Sequence, residues 1–406
     1  MKDSVLEIGA LKPITAVINS NIRGDYIISS ISIRDRLVKN CVAAGIKRII
    51  ILLPKAPMST AQEIKPYIEY ADEKSSTVEH VTEAAQIKIS EREHSIYLED
   101  GFLTHTSLLN NFIISKARVL KNPSNQKNIF SKDDFTIQAA TTYTEEALFD
   151  CNPFFILEMN DHNAHEARTR LFKWLSKESD GFISKTLNRP VSTIFSKFFA
   201  EYPIHPIYFT GVTGIFAALM TYVLITGGEA GMVWGCILFH ITSVVDGIDG
   251  EIARAKFQAS IKGGKLDTTI DMITNILFMG AMSYALWATY GNDYLTLGVY
   301  IVALAMLGVA LMTMLMFFGP GGGDFDVLAN IIKKRLEDKP RLLKIFNFSN
   351  YCLKRDFFAF LFAVLGVMGG AKYIPEFLIF GLLIWNLAII LNARSIVDLK
   401  EVPSEI

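Results

Sequence analysis

The chain has 406 residues, half of them apolar, a formal net charge of −1 and a mean hydropathy of +0.30. So greasy a composition at this length excludes an ordinary soluble protein, and a charge near zero implies no polyanion-binding surface, so nucleic acid is not an expected partner. Cys41, Cys151, Cys236 and Cys352 are scattered without a Cys-x2-Cys pair, which argues against a zinc site or a disulfide framework and for reduced thiols.

In chain order, the opening MKDSVLEIGALKP has no apolar core long enough for a signal peptide. Pro13–Ser20 is an apolar run of strand type, and Ile33–Gly45 has helical periodicity closed by a glycine. Lys47–Leu53 is a continuous apolar run, as in a buried parallel strand. Ser95–Glu99 predicts a strand ending at Asp100, and Thr106–Ser115 a helix. This alternation predicts an α/β domain with a mostly parallel sheet over residues 1–182. The order of elements, with the stretch IRDRLVKNCVAAGIKRIIIL, resembles nucleotidyltransferase domains of the sugar-nucleotide type. That resemblance implies a glycine-rich triphosphate loop after the first strand and a metal aspartate at Asp100. The loop here reads Asn19-Ser20-Asn21-Ile22-Arg23-Gly24-Asp25, and only Arg23 and Gly24 survive of the pattern. A backbone cradle for phosphate needs glycine at several points, so the favoured reading is a degenerate, non-catalytic domain. An active cytidylyltransferase, which would make the protein bifunctional, is the alternative.

Asp161-His162-x2-His165 has no third protein ligand nearby for a metal. Its expected reading is Asp161 capping a helix, with solvated histidines. Ile183–Tyr202 mixes Lys and Arg with Phe and Ile, which predicts an interfacial helix on the membrane surface over 183–203, a linker helix being the alternative. Residues 204–406 predict an all-α polytopic membrane domain of about six spans, at 207–227, 231–247, 268–290, 294–318, 356–371 and 375–393. His240 lies inside the second and reads as a packed histidine rather than a ligand. Positive charge concentrates in the expected loops 248–267 and 319–355. Both termini are therefore expected in the cytosol, with the protein multi-pass in the cytoplasmic membrane. Gly319-Pro320-Gly321-Gly322-Gly323 lacks a following Lys-Ser/Thr and reads as a flexible exit from the fourth span.

The chemistry concentrates between the second and third spans, in DGIDGEIARAKFQASIKGGKLDTTID. Asp246 and Asp249 are three residues apart, Asp267 and Asp271 four, so on helices each pair shares a face. Two such faces turned together make an oxygen cage suited to Mg²⁺ or Mn²⁺. The small residues Gly250, Ala253 and Gly263 fall in the same register and allow close approach.

The pattern Asp246-x2-Asp249-Gly250-x2-Ala253-Arg254-x8-Gly263-x3-Asp267-x3-Asp271 resembles the signature of the CDP-alcohol phosphotransferase family, matching every fixed position. The resemblance implies transfer of a substituted phosphate from a CDP-linked donor to an acceptor hydroxyl, with release of CMP. It implies two divalent ions held by Asp246, Asp249, Asp267 and Asp271, with Asp271 also the general base. It implies donor contacts at Gly250, Ala253, Arg254, Ser260 and Gly263. Ile207 stands where relatives carry Asn in a T-P-N-x-x-T pattern, of which Pro206 and Thr210 remain. Asn188, Arg189, Lys354, Arg355 and Asp356 flank the expected cytosolic mouth, where Lys354 and Arg355 are candidates for an anionic acceptor, positive-inside topology being the other reading. The donor is CDP-diacylglycerol or a CDP-linked polar alcohol; the acceptor is a polyol, a polyol phosphate or a lipid, among membrane lipids and within a possible homodimer. A cation transporter using the aspartates is the alternative of another class, although no internal repeat is visible. A scaffolding pseudoenzyme is a third reading, which the intact motif opposes.

Overall fold

The structure is a computed structural model, and it describes residues 14–53, 70–71, 74–83, 86–89, 94–115, 119–121, 128–132, 152, 155–176, 180–318, 340 and 354–398. The N-terminal stretch, Cys151, Cys352, the Gly319–Gly323 run and most of the basic segment after it lie outside the described residues. The chain divides into two compact units. One holds Met1–Leu175 with Ala200–Pro203 and Ala255–Phe257; the other holds Ser176–Phe199, Ile204–Arg254 and Gln258–Ile406.

The first unit is built on a six-stranded sheet. Its strands are β1 (Ile14–Asn19), β4 (Arg48–Leu52), β5 (Thr77–Val81), β6 (His94–Glu99), β8 (Val119–Lys121) and β9 (Asn128–Lys132), in the order β5-β4-β1-β6-β9-β8. Strands β5, β4, β1 and β6 run parallel, while β9 is antiparallel to both β6 and β8. Central β1 is buried through its middle four residues, which explains its unbroken apolar run. Helix α1 (Ile33–Ala43) starts where the Ser32 hydroxyl accepts from the Asp35 N–H at 3.1 Å, and it stops before Gly45 at φ +84°. Its Leu37, Val38 and Cys41 pack with Ile49, Ile51, Ile96 and Phe112 of the sheet and of α2 (Thr106–Ile114). Burial of each of these side chains is worth roughly 1.5–3 kcal/mol, so the sheet is a rigid platform. Two short antiparallel ladders complete the unit, β2 (Ile27–Ile28) with β3 (Ile31–Ser32) and β7 (Phe102–Thr104) with β10 (Ile156–Glu158). Helix α3 spans Ala164–Trp174 with Asn163, not Asp161, at its N-cap; Asp161 instead accepts a hydrogen bond from the Tyr26 hydroxyl.

The second unit is helical. A π-turn (Ser184–Asn188) leads into α4 (Arg189–Phe199), followed by α5 (Ile207–Thr226), α6 (Gly228–Ala255), α7 (Ile261–Tyr290), α8 (Asn292–Phe318), α9 (Arg355–Val367) and α10 (Ile374–Asp398). Among the described residues four helices, α5 to α8, are long and apolar enough to cross a bilayer, which makes this a multi-pass membrane protein. Helix α9 has 13 residues, fewer than the ~20 that a crossing needs. Aromatic rings knit α6, α7 and α9 together. Phe239 stacks on Phe278 at 4.0 Å, Phe278 on Phe362 at 5.7 Å, and Phe239 on Phe358 at 5.9 Å. Large apolar side chains such as Tyr222, Trp234, Val299 and Phe380 point outward, as lipid-facing groups do.

The expected loop 248–267 is replaced by helix. Helix α6 continues to Ala255 and α7 begins at Ile261, so the aspartate pattern lies inside two helices joined by residues 256–260. Within that turn Phe257 adopts φ +56° and Ser260 caps α7.

Candidate active site

Helices α6 and α7 run antiparallel, so their facing residues pair in reverse order. The arrangement brings Asp246 together with Asp267 and Asp271, with one oxygen from each lying within 4.8 Å of the others. Bonds of about 2.0–2.6 Å put ligands on opposite sides of one ion at that separation, so the spacing and the all-oxygen donor set fit a hard divalent cation. Asp246 and Asp271 side chains are 22% and 31% exposed, open enough for a ligand to enter.

Asp249 stands apart from this cluster. It is buried, one oxygen accepts from the Thr210 hydroxyl of α5 at 2.5 Å, and the other accepts from the Gly250 N–H. Thr210, which survives from the family pattern, thus acts by fixing a carboxylate. Arg355, the first residue of α9, forms an ion pair with Asp271 and reaches Asp246 at 3.7 Å. Sequence reasoning placed it near the mouth as an acceptor contact; the structure places its guanidinium among the carboxylates.

The small residues have local reasons. A Cβ on Gly250 would stand 3.1 Å from Nη1 of Arg254, so the missing side chain leaves room for that guanidinium along the helix. Ser260 Oγ accepts from the Gly263 N–H at 3.0 Å, an N-cap that starts α7 one turn before Asp267. Ala253 is half-buried on the same helix as Gly250. Lys354 occupies the N-cap position of α9, where its carbonyl accepts from the Phe357 N–H at 3.0 Å. Asp356 accepts from the Ser184 N–H at 2.7 Å, tying the π-turn to α9.

A second polar network lies behind the cluster. Arg189 of α4 donates to Asp180 at 2.9 and 3.0 Å and to Glu251 of α6 at 2.7 Å, and Ser192 adds a bond to Glu251 at 2.8 Å. Burial alone would weaken the Arg189 charge, but the two carboxylates outweigh it and hold its pKa above the ordinary value. Glu251 directly follows Gly250, so this clamp holds α4 against the signature helix.

In the N-terminal unit Asp100 follows β6 and is fully buried. It accepts from Arg34 Nε at 2.6 Å, from the Asn21 N–H at 2.8 Å and from the Ser20 hydroxyl at 3.1 Å. Burial pushes its pKa up to about 6 against the pull of Arg34. Arg34 also donates to Asp25 at 2.6 Å and to the Asn21 carbonyl at 2.8 Å. Arg23 is ion-paired with Glu158, and Gly24 sits so near the Asp100 carboxylate that a Cβ would collide with it. The loop after β1 is therefore a short 3-10 turn folded onto Asp100.

Residues 204–391 match the model of the CDP-alcohol phosphatidyltransferase family. Local likeness also links the chain to proteins named "Bifunctional IPC transferase and DIPP synthase". The Thermococcus kodakarensis protein is 39% identical over 109 residues, 26% of this chain and 23% of that protein. The Aquifex aeolicus protein is 36% identical over 106 residues, 26% and 23% of the two chains. That of Archaeoglobus fulgidus is 36% identical over 107 residues, 26% and 20%. The chain thus spans less than a quarter of the length of the curated relatives it matches. With its complete aspartate signature and three clustered carboxylates inside the matched region, the C-terminal part of this chain belongs to the CDP-alcohol phosphatidyltransferase family.

Proposed function

We propose that the C-terminal unit transfers a substituted phosphate from a CDP-linked donor to an acceptor hydroxyl and releases CMP, in phospholipid or polyol-phosphodiester synthesis. The observation behind this reading is the cluster of Asp246, Asp267 and Asp271 on two apolar helices within the family match. These three carboxylates, with Asp249 of the same signature three residues beyond Asp246, would hold two ions, Mg²⁺ or Mn²⁺. When bound, the ions neutralise the donor pyrophosphate and the charge that grows on the departing CMP oxygen.

The side chains of the protein do the rest. Asp271 takes the proton from the acceptor hydroxyl as its oxygen bonds to phosphorus and the bond to CMP breaks. The Thr210 bond holds Asp249 at a fixed orientation. Arg254 offers a guanidinium to donor phosphate, with Gly250 and Ala253 leaving room for the nucleotide. Ser260 and Gly263 shape the entry to α7 and enclose the donor. Lys354 and Arg355 supply positive charge on the acceptor side. The turn 256–260 faces the cytosol, where nucleotides are. A cation pathway would instead need carboxylates distributed through the bilayer, and these lie within about three turns of one end of each helix.

Asp271→Asn is expected to lower CMP release by about 10²–10⁴-fold, while the affinity for a CDP-linked donor stays within about threefold of wild type. A chelator should abolish turnover, and Mn²⁺ should restore it. Equal loss of donor binding and turnover in Asp271→Asn would count against the base assignment.

For the N-terminal unit we favour a non-catalytic role. In a working nucleotidyltransferase the carboxylate at Asp100 would face a metal, whereas here Arg34 supplies the counter-charge.

A further inference from the structure

Asp356 directly follows Arg355 in the first turn of α9, and its carboxylate serves another element. A carboxylate at that place ordinarily accepts from the free N–H groups of its own helix start. The α9 N-cap, Lys354, makes no side-chain capping bond, yet Asp356 spends one oxygen on the Ser184 N–H at 2.7 Å. The receiving end has the matching need. Ile183, before the π-turn, makes no side-chain capping bond either, and the backbone there pairs from the Lys185 N–H to the Gly181 carbonyl at 2.9 Å. The Ser184 N–H is thus one of the donors that a helix start leaves without an acceptor of its own. Gly181 makes the reach possible, because a Cβ there would stand 2.6 Å from the same Asp356 oxygen and 3.1 Å from Cδ of Lys354.

The far end of the π-turn is held to the signature helix. The wide turn, closed from the Arg189 N–H to the Ser184 carbonyl, brings Asn188 Nδ2 to Ser243 Oγ of α6 at 3.4 Å and Arg189 to Glu251 of α6 at 2.7 Å. Turns of this kind concentrate at functional sites, since the extra residue re-aims the side chains that follow. This one joins the start of α9 to α6. At that start stands Arg355, whose guanidinium pairs with Asp271 and lies 3.7 Å from Asp246. Arg355 and Asp356 share one peptide bond, so the Asp356 contact fixes the backbone from which the guanidinium extends.

We propose that Asp356 is a positioning residue: with Gly181 it latches α9 to the π-turn, sets how far Arg355 enters the carboxylate cluster, and so tunes the affinity of that cluster for a divalent cation. The latch acts through Arg355 rather than by touching the cation. A plain helix cap would stabilise two helix starts and leave cation affinity alone. The proposal rests on the transferase reading only for its bearing on turnover, because cation binding is measured without donor.

The test uses the full chain in nanodiscs, with Mn²⁺ as the probe and a double-mutant cycle read by electron paramagnetic resonance. Asp356→Ala is expected to raise Mn²⁺ affinity about threefold to fivefold, since a loosely seated Arg355 yields its carboxylates more readily. Asp356→Asn loses the charge but keeps an oxygen for the Ser184 N–H, and it should stay within about twofold of wild type. In an Arg355→Gln background Asp356→Ala should shift the affinity by less than about twofold, the group it acts through being gone. Amide exchange of the metal-free protein should be faster over residues 181–188 in Asp356→Ala. Gly181→Ala, which pushes the carboxylate away without removing it, should reproduce the affinity of Asp356→Ala, and it carries the test if that variant does not fold. Equal shifts in both backgrounds would overturn the proposal, because the effect would then bypass Arg355. So would an unchanged Mn²⁺ affinity in Asp356→Ala and Gly181→Ala, which would leave a cap and nothing more. If the cycle shows coupling but no CDP-linked donor yields CMP, the transferase reading fails and the latch stands.

Discussion

At the scale of single residues, the most consequential contact is the one between Arg355 and Asp271. A guanidinium that pairs with a carboxylate competes with any cation seeking the same oxygen. Arg355→Gln removes that competitor, so Mn²⁺ affinity should rise by about tenfold in a direct titration, the equivalent of ~1.4 kcal/mol. Weaker Mn²⁺ binding would mean that Arg355 orients the ligand rather than competing for it. Asp100 gives a pH prediction. Its folded pKa of about 6 exceeds the ~3.9 of an unfolded aspartate, so the folded state holds the proton longer. The Asp100 contribution to stability is therefore full below about pH 4 and is lost as the pH rises to about 6. Hydrogen exchange of β6, corrected for its intrinsic rate, should show falling protection across that interval, and Asp100→Asn should flatten the slope.

At the scale of elements, the caps decide where helices begin, and they explain what could be read from the chain alone. Ser260→Ala is expected to cost ~1 kcal/mol at the start of α7. It should appear as faster exchange over residues 261–267 and as lower activity, because Asp267 lies just beyond that turn. Strands β1, β4 and β6 and helices α1 and α2 were legible because apolar runs and terminal signals agree there. The extent of α6 and α7 was not. Hydropathy ends where grease ends, whereas residues such as Glu251, Ala253, Arg254 and Ala255 favour helix and carry it past the apolar segment. Asp161 was read as a cap because its type suits that position, yet the chain turns two residues later at Asn163. Helical spacing predicted one cage of Asp246, Asp249, Asp267 and Asp271; Asp246, Asp267 and Asp271 come together, whereas Asp249 accepts from Thr210 instead. Thr210 beneath Asp249 and Arg355 against Asp271 depend on packing between helices distant in sequence, which periodicity does not report.

At the scale of the whole molecule, two units of different physical character share one chain, an α/β sheet domain and a multi-pass helical one. The full protein, incubated with Mg²⁺, CTP and a polyol phosphate, is expected to release no pyrophosphate above background, because Arg34 already neutralises Asp100. Sustained pyrophosphate release that disappears in Asp100→Asn would restore a catalytic role to the first unit. In the second unit, the five residues between α6 and α7 have a mechanical corollary. So short a hairpin locks the two rods in phase, and each residue added to either helix before its aspartates would rotate those aspartates by about 100°. A single-residue insertion after Ile261 should therefore turn the α7 carboxylates and its seam residue Phe278 out of register together, so that Mn²⁺ binding and thermal stability fall in the same variant. The tolerance of this protein to length changes is thus smallest at a stretch that looks, by composition, like an ordinary surface bend.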